Sequence, residues 1–251
     1  MPPFAADIPV VFAHRGYSSR APENTLAAFR AAREAGVSAV ELDVQQCASG
    51  ELVVFHDFSL SRITGEPGLV TETSYSELAE LDAGAWYSSA FAGERIPRLR
   101  DVFELLGGSV YYDIEIKHDS RAATGLESAL RDTIRAHGLS GRCIVSSFNP
   151  FALFHVRRIA PELPTALIFA DAREVPRIFR YGAGRHLAPP AVFKPQHVQL
   201  DRPRRFLHRA LERGFVLPWT VNEPERAAEL VEWGAAGVVS DDPEPLLEAL
   251  R

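Results

Sequence analysis

Two short stretches carry acidic residues at a spacing of two. In "VELDV" these are Glu41 and Asp43; in "YYDIEIK" they are Asp113 and Glu115, followed by Lys117. On a β-strand, residues i and i+2 share a face, so each set projects to one side. Carboxylates on buried strands are costly unless paired or bound to a cation. Oxygen donors select hard cations, so Glu41, Asp43 and Glu115 suit Mg²⁺ or Ca²⁺, with Mn²⁺ as a further option. "EIK" has a second reading as a structural Glu115–Lys117 salt bridge; a metal site is the favoured reading, the more so beside Glu41 and Asp43. Asp113 starts deeper in its strand and is expected to pair with a lysine or arginine. Two further stretches, "VVFAHRG" and "VVFHD", end apolar runs in His14–Arg15 and His56–Asp57. Histidine titrates near neutrality, so one of the pair can take a proton and the other give one. A lone histidine at a strand end is more often structural; two beside carboxylate-bearing strands point to catalysis. The remaining histidines read as ordinary helix or loop residues.

These side chains need elements that hold them at one end of a sheet. Apolar and β-branched runs at 10–14, 39–44, 51–56, 110–117, 143–148, 165–170, 197–200, 215–221 and 237–240 alternate with helical patterns such as "TLAAFRAAREAG" and "EPERAAELVEWG". Several of the helical patterns close with glycine, a common helix stop. This alternation predicts a parallel sheet with helices outside it. Nine strands are one too many for a (β/α)8 TIM barrel. Only "QQCASG" separates 39–44 from 51–56, too short for a parallel crossover. Those two are therefore expected to form an irregular hairpin turning near Ser49–Gly50, and the other eight to close the barrel. Residues 58–100 break the rhythm and are too long for a simple loop. They read as a small insertion after the third β segment, over one end of a single domain spanning 1–251. In "APENT", Pro22 and Glu23 suit the first turn of a helix, with Asn24 or Thr25 as caps or loop ties.

The chain has 251 residues, 46% of them apolar, as in an ordinary globular protein, and a net charge of −6. No basic run marks a nucleic-acid binder, although a site can be locally positive on an acidic protein. Cys47 and Cys143 lack metal-ligand spacing and read as thiols in a reducing compartment. No run approaches a membrane span, and "MPPFAADIPV" lacks the pattern of a signal peptide. The expectation is a cytoplasmic protein.

"AHRG", "PENTLAAF", "ELDV", "VVFHD", "EIK", "SSF" and "PWTVN", in that order, make the chain resemble the glycerophosphodiester phosphodiesterase family from residue 10 to about 243. The resemblance implies a (β/α)8 barrel and metal-dependent hydrolysis of a small-molecule glycerophosphodiester to glycerol phosphate and an alcohol. It implies that His14 and His56 are the acid/base pair and that Glu41, Asp43 and Glu115 hold the metal. Arg15 matches the phosphate-binding arginine and Lys117 a second phosphate-facing cation. Phe148 and Trp219 match aromatics near the substrate. "CASG" and "GAAGVVSDDP" depart from the family's usual turn and last-strand patterns, and 182–196 carries no family motif. Two other readings are a lyase of the phospholipase D type, releasing a cyclic phosphate, and a phosphate-binding barrel without catalysis. The complete "HRG…PENT" block favours hydrolysis, and filled histidine and carboxylate positions weigh against lost catalysis.

Overall fold

The computed structural model describes residues 2–5, 9–173, 175–201, 205–213 and 215–250. Its strands are β1 Val10–His14, β2 Ala39–Gln46, β3 Leu52–Val54, β4 Tyr111–Ile116, β5 Cys143–Ser147, β6 Thr165–Phe169, β7 Val192–Pro195 and β8 Gly237–Ser240. Its α-helices are α1 Leu26–Glu34, α2 Ser61–Thr64, α3 Tyr75–Leu78, α4 Leu99–Leu106, α5 Leu126–Ala136, α6 Pro150–Ile159, α7 Arg205–Leu211, α8 Pro224–Glu232 and α9 Pro243–Ala249. No helix among the described residues is long and apolar enough to cross a membrane.

Seven strands run parallel in the order β7-β6-β5-β4-β2-β1-β8, and β3 pairs antiparallel with β2 as the short spacing requires. The sheet curls, and the segment 215–221 joins its two edges. On one side, Phe193 N–H donates to Phe215 O and Leu217 N–H to Phe193 O; on the other, Ala236 N–H donates to Val216 O and Val221 N–H to Val239 O. This is the eighth position of a (β/α)8 barrel, although Pro218, which has no N–H, reduces its pairing to isolated bridges.

Both faces of the sheet are buried, as parallel sheets demand. One set of alternate positions, including Val40, Leu42, Val44, Tyr112, Ile114, Ile116 and Val145, packs with Phe29, Phe103 and Leu130 of the surrounding helices. The other set, including Val10, Phe12, Ala39, Tyr111, Ile144, Val192 and Leu217, fills the barrel interior with Phe4. Going toward the carboxyl ends, this inward set becomes His14, Glu41 and Asp43, then Asp113, Glu115 and Lys117. Period two thus turns an apolar floor into a polar mouth.

Three expectations are corrected. Residues 197–200 are not a strand: His197–Gln199 forms a 3₁₀ turn, and the strand beside β6 is Val192–Pro195, within a stretch that carried no motif. β7 ends at Pro195; Gln196 N–H and His197 N–H still pair with Phe169 O and Trp219 O of the flanking segments, and the chain then turns, Gln199 N–H donating to Gln196 O and Leu200 N–H to His197 O. Pro22 and Glu23 are not in the first turn of α1. The helix starts at Leu26 with Thr25 as N-cap, its side chain accepting from Ala28 N–H, and Glu23 is drawn away by two arginines. The strand expected at 51–56 is only Leu52–Val54, so His56 and Asp57, expected at its end, both lie beyond β3.

Between β3 and α4 the chain forms α2, α3 and two 3₁₀ turns around an apolar cluster of its own, with Leu60, Ile63, Val70, Leu78 and Ile96 buried against Val53 and Phe55.

Candidate active site

The end of β1 is shaped by its backbone. Arg15 has φ 56° and Gly16 φ 79°, and a Cβ on Gly16 would lie 2.7 Å from Ala28. Glycine lets the chain fold back against α1 at a distance no side chain allows. Asn24, also at positive φ (59°), ties the loop down. Its N–H donates to Arg15 O (2.9 Å), and its side-chain amide donates to Asp43 Oδ2 (2.9 Å). Asparagine tolerates the left-handed region better than most residues, which gives "PENT" a structural reason beyond helix initiation.

Glu41, Asp43 and Glu115 converge: one carboxylate oxygen from each lies within 4.8 Å of the others, and all three residues are buried. The β2–β4 register sets this, pairing Asp43 with Glu115 and Glu41 with Asp113. Two cations face the cluster. Lys117 Nζ lies 2.9 Å from Glu115 Oε1 and 3.6 Å from Asp43 Oδ1, and Arg15 Nε lies 3.4 Å from Asp43 Oδ2. Burial pushes the Glu41 carboxyl up, and adjacent Asp43 adds to this, to about 7. Burial acts the same way on Asp43, but Arg15 and Lys117 outweigh it and hold that carboxyl well below the ordinary range. Three crowded, all-oxygen donors, one of them resisting ionisation, fit a hard divalent cation.

Each histidine is held by a carboxylate. His14 Nδ1 lies 2.6 Å from Asp241 Oδ1, leaving Nε2 on the side of Glu41, 3.9 Å from Oε2. Burial alone would lower the His14 pKa; Glu41 and the Asp241 bond raise it above its ordinary value. Asp241 also accepts from Ser18 Oγ (3.1 Å) and Asn222 Nδ2 (3.0 Å). His56 Nδ1 lies 2.6 Å from Asp57 Oδ1. An open cleft of about 510 Å³ lies beside His14 and Arg15, lined also by Ser18, Ser19, Glu23, Asn222 and Asp241. Phe148 and Trp219 meet edge to face, ring centroids 5.5 Å apart, and Trp219 Nε1 donates to Lys194 O.

All nine residues singled out in the sequence therefore sit on the carboxyl-end side of the barrel. Asp113 stands apart, as expected, paired inside the barrel with Lys194 (2.5 Å), which also reaches Ser146 Oγ (3.3 Å). Sequence reasoning missed Asp241, Glu23, Arg62 and Lys194. Asp241 was discoverable, because "SDD" stands at the carboxyl end of the last strand; nothing local marks Lys194.

A (β/α)8 barrel that gathers an acidic triad, two flanking cations and two carboxylate-held histidines at its carboxyl ends has the architecture of a barrel enzyme, with side chains that could hold a divalent cation and meet an anionic substrate. The model of the glycerophosphoryl diester phosphodiesterase family matches residues 14–245. The chain is 36% identical over 246 residues to a glycerophosphodiester phosphodiesterase of Caldanaerobacter subterraneus subsp. tengcongensis, covering 96% of this chain and 98% of the relative. It superposes with TM-score 0.84 and 29% identity on a phosphodiesterase of Oleispira antarctica in complex with the product sn-glycerol-3-phosphate, covering 99% of each chain. A Silicibacter pomeroyi structure described as a putative glycerophosphoryl diester phosphodiesterase gives 0.83 at 29% identity, covering 97% of this chain and 93% of that one. The chain belongs to the glycerophosphoryl diester phosphodiesterase family, and it is an enzyme of that class.

Proposed function

We propose that this enzyme hydrolyses glycerophosphodiesters to glycerol 3-phosphate and an alcohol, with a divalent metal held by Glu41, Asp43 and Glu115 and with His14 and His56 as the acid/base pair. The observation that carries this reading is the convergence of the three carboxylates within 4.8 Å, next to Arg15 and Lys117. When bound there, Mg²⁺, Ca²⁺ or Mn²⁺ supplies charge neutralisation and polarises the phosphoryl group. Arg15 and Lys117 bind the non-bridging oxygens by charge-assisted hydrogen bonds. Asp241 and Asp57 engage the Nδ1 atoms of His14 and His56. Proton transfer therefore falls to the two Nε2 atoms, one taking a proton from the nucleophile and the other giving one to the leaving alcohol. The Phe148–Trp219 pair offers an apolar wall for the substrate's carbon atoms. The segment 58–100 is an insertion within a single catalytic domain.

The test is an enzyme-coupled assay for glycerol 3-phosphate over a panel of head groups, with chelator and then added metal. Activity should vanish with chelator and return with Mg²⁺, Mn²⁺ or Ca²⁺; full activity of metal-stripped protein would refute the metal role. Phosphorus NMR of the products separates hydrolysis from the lyase reading, which would accumulate a cyclic phosphate.

A further inference from the structure

Glu23 stands in the most recognisable motif of the chain yet contacts neither the acidic triad nor a histidine. Its partners explain it. Glu23 Oε1 accepts from Arg15 Nη1 (2.8 Å) and from Arg62 Nη2 (2.7 Å), and Oε2 accepts from Arg62 Nη1 (3.0 Å). The same Arg62 guanidinium turns its other edge to Asp57, Nε to Oδ2 (2.5 Å) and Nη2 to Oδ1 (3.0 Å). Asp57 Oδ1 in turn holds His56 Nδ1 at 2.6 Å. One planar group thus spans two carboxylates, one holding the phosphate-facing arginine and the other a proton-transfer histidine. Four of the five N–H donors of a guanidinium are engaged by these two carboxylates, so Arg62 is not itself free to grip substrate.

We propose that Arg62, on α2, is a positioning residue that holds Arg15 and His56 in one frame through Glu23 and Asp57. This rests on the roles given above to Arg15 and His56. Stability is a poor reason for the arrangement: Arg62 is 43% exposed, and ion pairs at that exposure add little. Geometry is a better one. A guanidinium is a rigid fork that meets two carboxylates in fixed directions, whereas an ammonium is a point charge that cannot. The arrangement also offsets one of two negative charges that would otherwise face an anionic substrate. The Arg62 guanidinium also lies over Trp86, 5.9 Å from the ring centroid.

The test is kinetic, on the metal-loaded enzyme, with Arg62→Met and Arg62→Lys made alone and in His56→Ala and Arg15→Met backgrounds. Arg62→Met should lower kcat and raise KM, with kcat/KM falling roughly ten- to a hundredfold, the scale of a small misplacement of reacting groups. Arg62→Lys should restore less than half of that loss, since charge returns without the fork. The kcat part should vanish in the His56→Ala background, and the KM part in the Arg15→Met background, because Arg62 acts through those residues. Melting temperature should stay close to wild type. Equal fold-losses in every background, full rescue by lysine, or a melting drop that accounts for the lost activity would overturn the proposal. If His56→Ala and Arg15→Met themselves leave turnover and KM unchanged, the underlying assignment of those two residues fails instead.

Discussion

Replacing Glu41 with glutamine should stabilise the metal-free protein, and only above mildly acidic pH. Glu41 is 2% exposed, and burial, with Asp43 alongside, raises its carboxyl from 4.5 to about 7. The folded chain therefore keeps a proton that the unfolded chain releases from pH 4.5 upward. Stability falls where the folded state binds more protons, so the loss begins near pH 4.5, grows through pH 7 and is complete above it. At 1.36 kcal/mol per pH unit, that interval amounts to about 3 kcal/mol. Glutamine has the same shape, carries no charge and can still accept the Arg15 N–H that now meets Glu41 Oε2 at 3.2 Å. With roughly 2–4 °C per kcal/mol for a chain of this size, the variant should melt about 6–12 °C higher than wild type at pH 8 in chelator. The two should coincide near pH 4.5. Adding Mg²⁺ or Mn²⁺ should reverse the order at pH 8, since the metal stabilises only the protein that holds it. Differential scanning calorimetry with and without chelator reads all three conditions. A variant that melts below wild type at pH 8 in chelator would show Glu41 to be a structural partner and would refute the reasoning.

His14→Ala and His56→Ala should each cut kcat by roughly 10²–10⁴-fold with KM little changed, and a nitrophenyl ester should rescue only the variant lacking the general acid; near-normal turnover in both, with a choline or ethanolamine ester, would exclude the mechanism. Lys194→Met should cost about 3–5 kcal/mol in denaturant unfolding, because Asp113 is left buried and uncompensated, and adding Asp113→Asn should recover part of it. Burial would raise the Asp241 carboxyl, but the bonds from His14, Asn222 and Ser18 hold it at about 2. The stability this contributes is present above the ordinary pKa of 3.8 and is lost as pH falls toward 2. Asp241→Asn should therefore melt below wild type at pH 7, with the gap shrinking below pH 4, and equal melting at pH 7 would argue against that reading.

The candidate site residues could be picked out because barrel strands encode their placement locally. Period two puts Glu41 with Asp43 and Glu115 with Lys117 on one face, and alternation with helices makes the end of each strand a site position. The six-residue gap before Glu51 was enough to exclude a parallel crossover and reveal the hairpin. Other features depended on the closed barrel. Asp241 meets His14 from 227 positions away, and no local pattern couples them; closure places the end of β8 beside the end of β1. Val192–Pro195 was not among the expected strands: a lysine and the prolines Pro189, Pro190 and Pro195 interrupt its apolar run, and Lys194 is tolerable inside because Asp113 faces it across the interior. "HVQL" has strand-like composition, but pairing with the flanking segments ends at its first amide, His197 N–H to Trp219 O, and the rest turns as a 3₁₀ segment. Glu23 carries a helix-start signal that two arginines outcompete, one from β1's end and one from α2. Sequence determined which side chains point inward along each strand; tertiary structure decided which charges meet, because pairing across a closed barrel is set by proximity in space and leaves no trace in spacing along the chain.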